Sequence, residues 1–278
     1  MNYLYSIVLG LIEALGEALP VAGSGLLLIA KRLTPLPEEM IRNANMDAAL
    51  RWGVLLAVVL VFHKTFLQVL KGIGGMVTGL FKGTFKWRKA SRYQMIAVYL
   101  LLTTLPMVIL AFIQQYYNVL GRWADNLLFV GAMLLVSGGL VFIGSHSIYR
   151  GWSVQDMKAG HAFKLGLFQA VACLPGLSRT ATTLSMVRNM GFDRQTAEEL
   201  SFMMLIPTLL GTNLMRMGAL SLPSADWGVL LTAFGAALLF GIGAFALVKY
   251  LVRKDRYGFT TFYCLVAGVA AIVLHFAL

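Results

Sequence analysis

Read for the spacing of hydrophobic and polar positions, the chain is a succession of long apolar runs. Six of them, at about 48–63, 94–114, 126–145, 197–217, 227–249 and 259–278, are of a length that crosses a bilayer as helix. Two further apolar stretches, about 3–30 and 161–188, are broken in the middle by small residues and a proline. Pro20-Val-Ala-Gly-Ser-Gly25 interrupts one and Pro175-Gly-Leu-Ser-Arg-Thr-Ala181 the other. Non-helical backbone at membrane depth is tolerated only where protein or a water-lined cavity satisfies its polar groups. Both stretches are therefore predicted to form re-entrant helical hairpins.

Composition agrees with this pattern. Hydrophobic residues make up 59% of 278, charged residues 13%, and the mean hydropathy is +0.77. A soluble domain carries roughly twice that charge. The expected fold class is an all-α polytopic membrane protein, with six transmembrane helices plus the two hairpins. The apolar N-terminus lacks a basic start and a small-residue cleavage pattern, so it reads as mature structure and not as a removed signal peptide. The two cysteines, Cys173 and Cys264, lie in apolar runs and are expected to be buried thiols with no disulfide framework.

Charge then orients the chain. Seven basic residues and no acidic one fall between Lys64 and Arg92, and Lys249, Arg253, Lys254 and Arg256 outweigh Asp255. Both segments are expected on the cytoplasmic side. Arg122 with Asp125, and Arg216 with Asp226, leave the intervening loops near neutral, as outside loops should be. Threading the spans through these constraints puts both termini outside and makes the hairpins enter from opposite faces. A single membrane domain, 1–278, then divides into units of roughly 1–150 and 155–278. Each unit is a hairpin plus three spans, and the odd span number inverts the second unit relative to the first. Gly10-Leu with Leu19-Pro20, against Gly166-Leu with Leu174-Pro175, is a faint echo of that repeat. The net charge of +11 is the sum of loop charges at membrane boundaries, suited to anionic lipid headgroups. It forms no separate basic domain, so a nucleic-acid partner is not indicated.

The chemistry sits in the broken stretches. Glu13 and Glu17 are one helical turn apart and share a face. A carboxylate at membrane depth costs roughly 2.5 to 3.5 kcal/mol even on a lenient scale, so two together require a cation, a shared proton or water. The second stretch supplies Arg179 with four hydroxyl side chains at the expected start of a helix. An arginine fork and a helix N-terminus both suit phosphate. If the hairpins meet, Glu13 and Glu17 can hold a divalent metal (Mg or Ca) or act as acid and base while Arg179 holds phosphate. A simpler reading is an ion pair between a glutamate and Arg179 or Arg51 with no chemistry. Thr180 and Thr183 are expected mainly to satisfy the broken backbone.

These segments carry a resemblance. Glu13-x3-Glu17-x2-Pro20-Val21, followed by small residues and Ser24-Gly25, is similar to the N-terminal motif of the undecaprenyl-diphosphate phosphatase family of the bacitracin-resistance type. Pro175-Gly-Leu-Ser-Arg-Thr-Ala181 resembles its second motif, and Asp47 to Gly53 and Glu199 to Pro207 its intermediate segments, so the likeness spans nearly the whole chain. The resemblance implies a bacterial inner-membrane, multi-pass enzyme with inverted hairpins. Such an enzyme removes the terminal phosphate of a C55 polyprenyl diphosphate at the outer face and regenerates the carrier for cell-wall synthesis. It implies Glu13 and Glu17 as the metal and catalytic pair, and Ser178, Arg179 and Thr182 as the diphosphate-binding set. Membrane lipids are further partners, and a homodimer is a possible assembly.

The chain also departs from that pattern. Where the family has Ser-Ser-Thr-Gly-His, it reads Ala22-Gly23-Ser24-Gly25-Leu26, and Arg51 stands where Gln is usual. Leucine cannot replace an imidazole and glycine cannot attack phosphorus, so Ser24 is the remaining candidate hydroxyl. His63, His146, His161 and His275 lie near predicted span ends and do not repair the loss. Three functions fit the sequence: a polyprenyl-diphosphate phosphatase, a lipid-phosphate transporter or flippase, and a catalytically impaired lipid-binding paralogue. Another class of membrane phosphatase places a His six residues after its Ser-Arg, but here that position is Ser185.

Overall fold

In a computed structural model, residues 2–277 are described except 35, 42, 118–120 and 221–225. The C-terminal residue of the last predicted span, Leu278, lies outside the described residues. The chain forms α1 (Asn2–Ala18), α2 (Gly23–Leu33), α3 (Glu38–Ile41), α4 (Ala44–Val61), α5 (His63–Phe81), α6 (Arg92–Tyr117) and α7 (Gly121–Ala124). It continues with α8 (Leu127–Ser145), α9 (Ala159–Val171), α10 (Arg179–Asn189), α11 (Arg194–Arg216), α12 (Trp227–Arg253) and α13 (Thr260–Ala277). No strand forms among the described residues.

Polar caps start these helices where the apolar runs begin. The Asn43 carboxamide oxygen accepts the N–H groups of Asn45 and Met46 at 2.9 and 3.2 Å. Asn126 does the same for α8, and Asp193 and Asp226 cap α11 and α12. Five helical segments are long and apolar enough to cross a membrane: Ala44–Val61, Arg92–Leu110, Leu127–Ser145, Trp227–Arg253 and Tyr257–Ala277. They coincide with five of the six predicted spans.

The remaining prediction, 197–217, is helical as α11 but is not in that apolar set. The reason is Glu198 and Glu199, which are buried by pairing. Arg253 donates to both Glu198 oxygens at 2.8 and 3.0 Å, and Arg92 Nε donates to Glu199 Oε2 at 2.9 Å. The basic stretch after Val61, read from sequence as a loop, begins with the helix α5. Val69 and Gly72 are buried, while Leu67, Leu70, Ile73 and Val77 are exposed beside Lys64 and Lys71. Lysines that deny α5 a purely apolar span also hid its helical period.

The bundle has two distinct ends. At the basic end, Arg92, Arg188, Arg194 and Arg253 meet Glu198, Glu199 and Asp255, tying α6, α10, α11 and α12 together. Asn2, Glu39, Asn43, Asn45 and Asp226 line a groove elsewhere, where α1, α4 and α12 begin. Between these features, α12 packs along α1 and α4, α6 along α9, and α8 along α13 and α10.

Candidate functional site

The site forms where the two broken stretches touch. In the second, Gly176 has φ +87°, and a Cβ there would lie 2.4 Å from the Val130 carbonyl oxygen of α8, so only glycine fits. This turn delivers Ser178 as the cap of α10. Its hydroxyl accepts the Ala181 N–H at 3.2 Å, and its own N–H donates to Ser137 Oγ at 2.9 Å. Thr182 and Thr183 hydroxyls donate to the carbonyls of Ser178 and Arg179 at 2.8 and 3.0 Å. Ser178 and Thr182 are thus buried behind Arg179, and the Thr182 proton serves the start of the helix.

In the first stretch, α1 and α2 close on one another at two glycines. A Cβ on Gly16 would sit 2.1 Å from Gly23 Cα, and one on Gly23 would sit 3.1 Å from Gly16 Cα. That approach accounts for Gly23 where a serine is expected: the side chain would crowd the facing helix backbone. Glu13 and Glu17, on this α1, are both partly buried.

The contacts between the stretches involve the predicted residues directly. Arg179 ion-pairs with Glu17, and the Thr180 hydroxyl donates to the Glu17 carbonyl at 2.8 Å. Gly176 N–H donates to Ser24 Oγ at 2.9 Å. Ser24 accepts there and is exposed, which leaves its hydroxyl proton available. Glu13 makes no ion pair among the described residues, although Arg51, Glu17, Asp47 and Arg179 act on it electrostatically. Arg51 donates instead to Asp47 at 2.9 Å. The glutamate–arginine pair expected as the simple alternative is therefore present, and it leaves Glu13 over.

Among the described residues no three His, Cys, Asp or Glu side chains converge on a metal-sized site. Two carboxylates on one helix face, one of them paired with Arg179, are too few for an all-protein cation cage and would suit a magnesium ion that keeps other ligands. Among the histidines, His63, His146 and His275 are exposed and His161 packs on Trp152 and Phe192. Cys173 and Cys264 are free thiols, and the Cys264 thiol donates to the Pro20 carbonyl at 3.2 Å.

Sequence reasoning missed the other side of Arg179. Gln169, Ser201 and Thr208, from α9 and α11, line one small cavity with Arg179, Thr180 and Thr183. A neutral amide in an apolar run raises no charge alarm. The available signal was position: Gly166-Leu-Phe-Gln169 matches Gly10-Leu-Ile-Glu13.

With this geometry in place, comparisons with known proteins are informative. A family model described as bacitracin resistance protein BacA matches residues 6–270. A protein named undecaprenyl-diphosphatase from Christiangramia forsetii is 33% identical over the full length of both chains. Proteins of that name from Desulfosudis oleivorans and Desulforapulum autotrophicum are 31% and 28% identical, each alignment covering at least 96% of both chains. With a family match across most of its length, and relatives matching it end to end, the chain belongs to the bacitracin resistance protein BacA family.

Proposed function

We propose that the protein hydrolyses undecaprenyl diphosphate, or a closely similar polyprenyl diphosphate, to the monophosphate. The reaction takes place at the outer face of the bacterial inner membrane and recycles the lipid carrier for cell-wall synthesis. The observation that carries this reading is the meeting of Arg179 with the Glu13 and Glu17 helix, 162 residues away in sequence at the Glu17 contact. One partner suits phosphate and the other suits a metal or a proton.

In this mechanism the diphosphate draws the Arg179 guanidinium from Glu17, and the N-terminus of α10 adds its dipole to the same anion. A water oxygen bonds to the terminal phosphorus as the bond from that phosphorus to the bridging oxygen breaks. The proton from water passes to Glu13 or Glu17, and Ser24, which accepts the Gly176 N–H at the turn before Arg179, orients the water or the phosphate. The products are inorganic phosphate and the lipid monophosphate. Glu13 and Glu17 are the residues to hold a divalent metal, which when bound supplies neutralisation of phosphate charge. A water nucleophile dispenses with the hydroxyl and imidazole that Gly23 and Leu26 lack.

The proposed architecture is an inverted repeat with two re-entrant hairpins, α1–α2 and α9–α10, and α11 as the sixth span. Helix pairing supports it. Exchanging α1 with α9, α2 with α10, α4 with α11, α6 with α12 and α8 with α13 turns one set of contacts into another. The α1–α12 contact becomes α9–α6, α4–α12 becomes α11–α6, and α2–α13 becomes α10–α8; α4–α11 and α8–α13 map onto themselves. Glycine placement supports it as well. A Cβ on Gly10 would lie 2.8 Å from the Ala237 nitrogen of α12, and one on Gly166 2.7 Å from the Thr103 oxygen of α6.

The test is phosphate release from a C55 diphosphate by the purified protein, with magnesium and with chelator. Release that depends on magnesium is expected. No release under either condition sinks the phosphatase reading.

A further inference from the structure

The amide of Gln169 is oriented by its surroundings. Thr208 Oγ1 donates its proton to the Met204 carbonyl at 2.8 Å, so toward Gln169 it can only accept. It accepts from Gln169 Nε2 at 2.7 Å, which turns Gln169 Oε1 away from it. That oxygen is buried with no hydrogen-bond partner, on a residue only 2% exposed. A buried acceptor left unpaired costs about 1 to 3 kcal/mol, so a donor is expected in the working protein.

The cavity narrows the choice of donor. The Thr180 proton goes to the Glu17 carbonyl and the Thr183 proton to the Arg179 carbonyl. Two donors remain among the cavity's polar side chains: the Arg179 guanidinium and the Ser201 hydroxyl, itself buried and unpaired. Arginine has five N–H donors, and Arg179 spends its contact here on Glu17.

From this geometry we infer that Gln169, with Ser201, is a positioning residue that takes over Arg179 from Glu17 and holds its guanidinium in the diphosphate-gripping orientation. This rests on the reading of Arg179 as a phosphate ligand. A guanidinium held by a carboxylate is neutralised and offers less to an anion, and Glu17 is also freed for metal or proton when it lets go. A neutral carboxamide fixes the same fork without cancelling its charge. The identity at 169 follows: Glu13, at the matching position of the first stretch, carries charge for chemistry, whereas Gln169 must not.

The test measures binding of farnesyl methylenediphosphonate, which cannot be hydrolysed at its bridge, to purified full-length protein by calorimetry at low and high salt. Gln169→Glu keeps the shape but adds a carboxylate, and its affinity is expected to fall by about tenfold or more. Gln169→Leu and Ser201→Ala keep the charge of Arg179 and lose only its orientation, with losses of a few-fold expected. Their double variant should lose less than the product of the two. The gap between Gln169→Glu and Gln169→Leu should shrink in high salt, a response that a purely structural role does not give. Affinity of Gln169→Glu equal to or tighter than that of Gln169→Leu overturns the inference, as does multiplicative loss in the double variant. Arg179→Ala in the same assay addresses the parent reading separately: unchanged binding there rejects Arg179 as the phosphate ligand.

Discussion

Two pairs of glutamates lie inside helices of this protein, and their treatment differs. Glu198 and Glu199 are 2% and 4% exposed, and each has an arginine of its own. Glu199 gains a second donor in the Gln195 side chain at 2.9 Å. Of Glu13 and Glu17, only Glu17 has an ion-pair partner among the described residues, Arg179. A buried carboxylate whose acceptor sites are filled is architecture; one left short of partners is available for a ligand. The pair at the basic end is thus more deeply buried and fully partnered, whereas between the broken stretches Glu17 is partly buried and Glu13 has no ion pair among the described residues.

The largest expected effect is at the shared arginine. Arg179→Ala should lower phosphate release by roughly 10³-fold or more, since it removes the fixed positive charge on the transferring group. Its folded fraction, measured by size exclusion in detergent, should change little. Loss of folding with it would move Arg179 into the structural class.

The basic end should respond in stability. Arg253→Ala strands the buried Glu198 carboxylate and is expected to cost about 3 kcal/mol, somewhat less where solvent screens the pair. Glu198→Gln leaves an arginine whose side chain is 60% exposed and able to find water, at a cost of about 1 kcal/mol. Chemical unfolding of the two variants checks the order, and a reversed order would break the distinction. Gly16→Ala tests the scaffold that presents Glu13 and Glu17. A methyl 2.1 Å from Gly23 Cα must part α1 from α2, at about 3 kcal/mol, read as a lowered unfolding midpoint.

The smallest effect lies outside the membrane segments. Asp156 accepts the Ser153 N–H at 2.8 Å and the Ser153 hydroxyl at 3.1 Å, which holds its carboxyl below the usual 3.8. Its charge therefore stabilises the fold above that value, and the contribution disappears as pH falls through the depressed folded-state pKa. Asp156→Asn should flatten only this part of the stability profile, below about pH 4. An unchanged profile would remove Asp156 as its source.

Much of this was legible from residue pattern. Proline and glycine inside apolar runs marked both turns, and uncompensated charge marked Glu13, Glu17 and Arg179. The hidden parts share a physical cause: their signals cancel locally. The predicted 197–217 span takes in Glu198 and Glu199 without naming a partner, because Arg253 and Arg92 arrive from distant helices. The α5 helix carries lysines on a partly apolar surface and so imitates a loop. Gln169 is uncharged, and only the commitment of the Thr208 proton exposes its unpaired oxygen.

The distinction between chemical and architectural carboxylates is tested most directly by one paired measurement: initial phosphate release from C55 diphosphate by Glu17→Gln and Glu199→Gln, each normalised to folded protein. Glu17→Gln is predicted to lose about 10²-fold or more and Glu199→Gln to stay within roughly threefold of the parent. Equal losses, or a Glu17→Gln variant that retains parental activity, would contradict it.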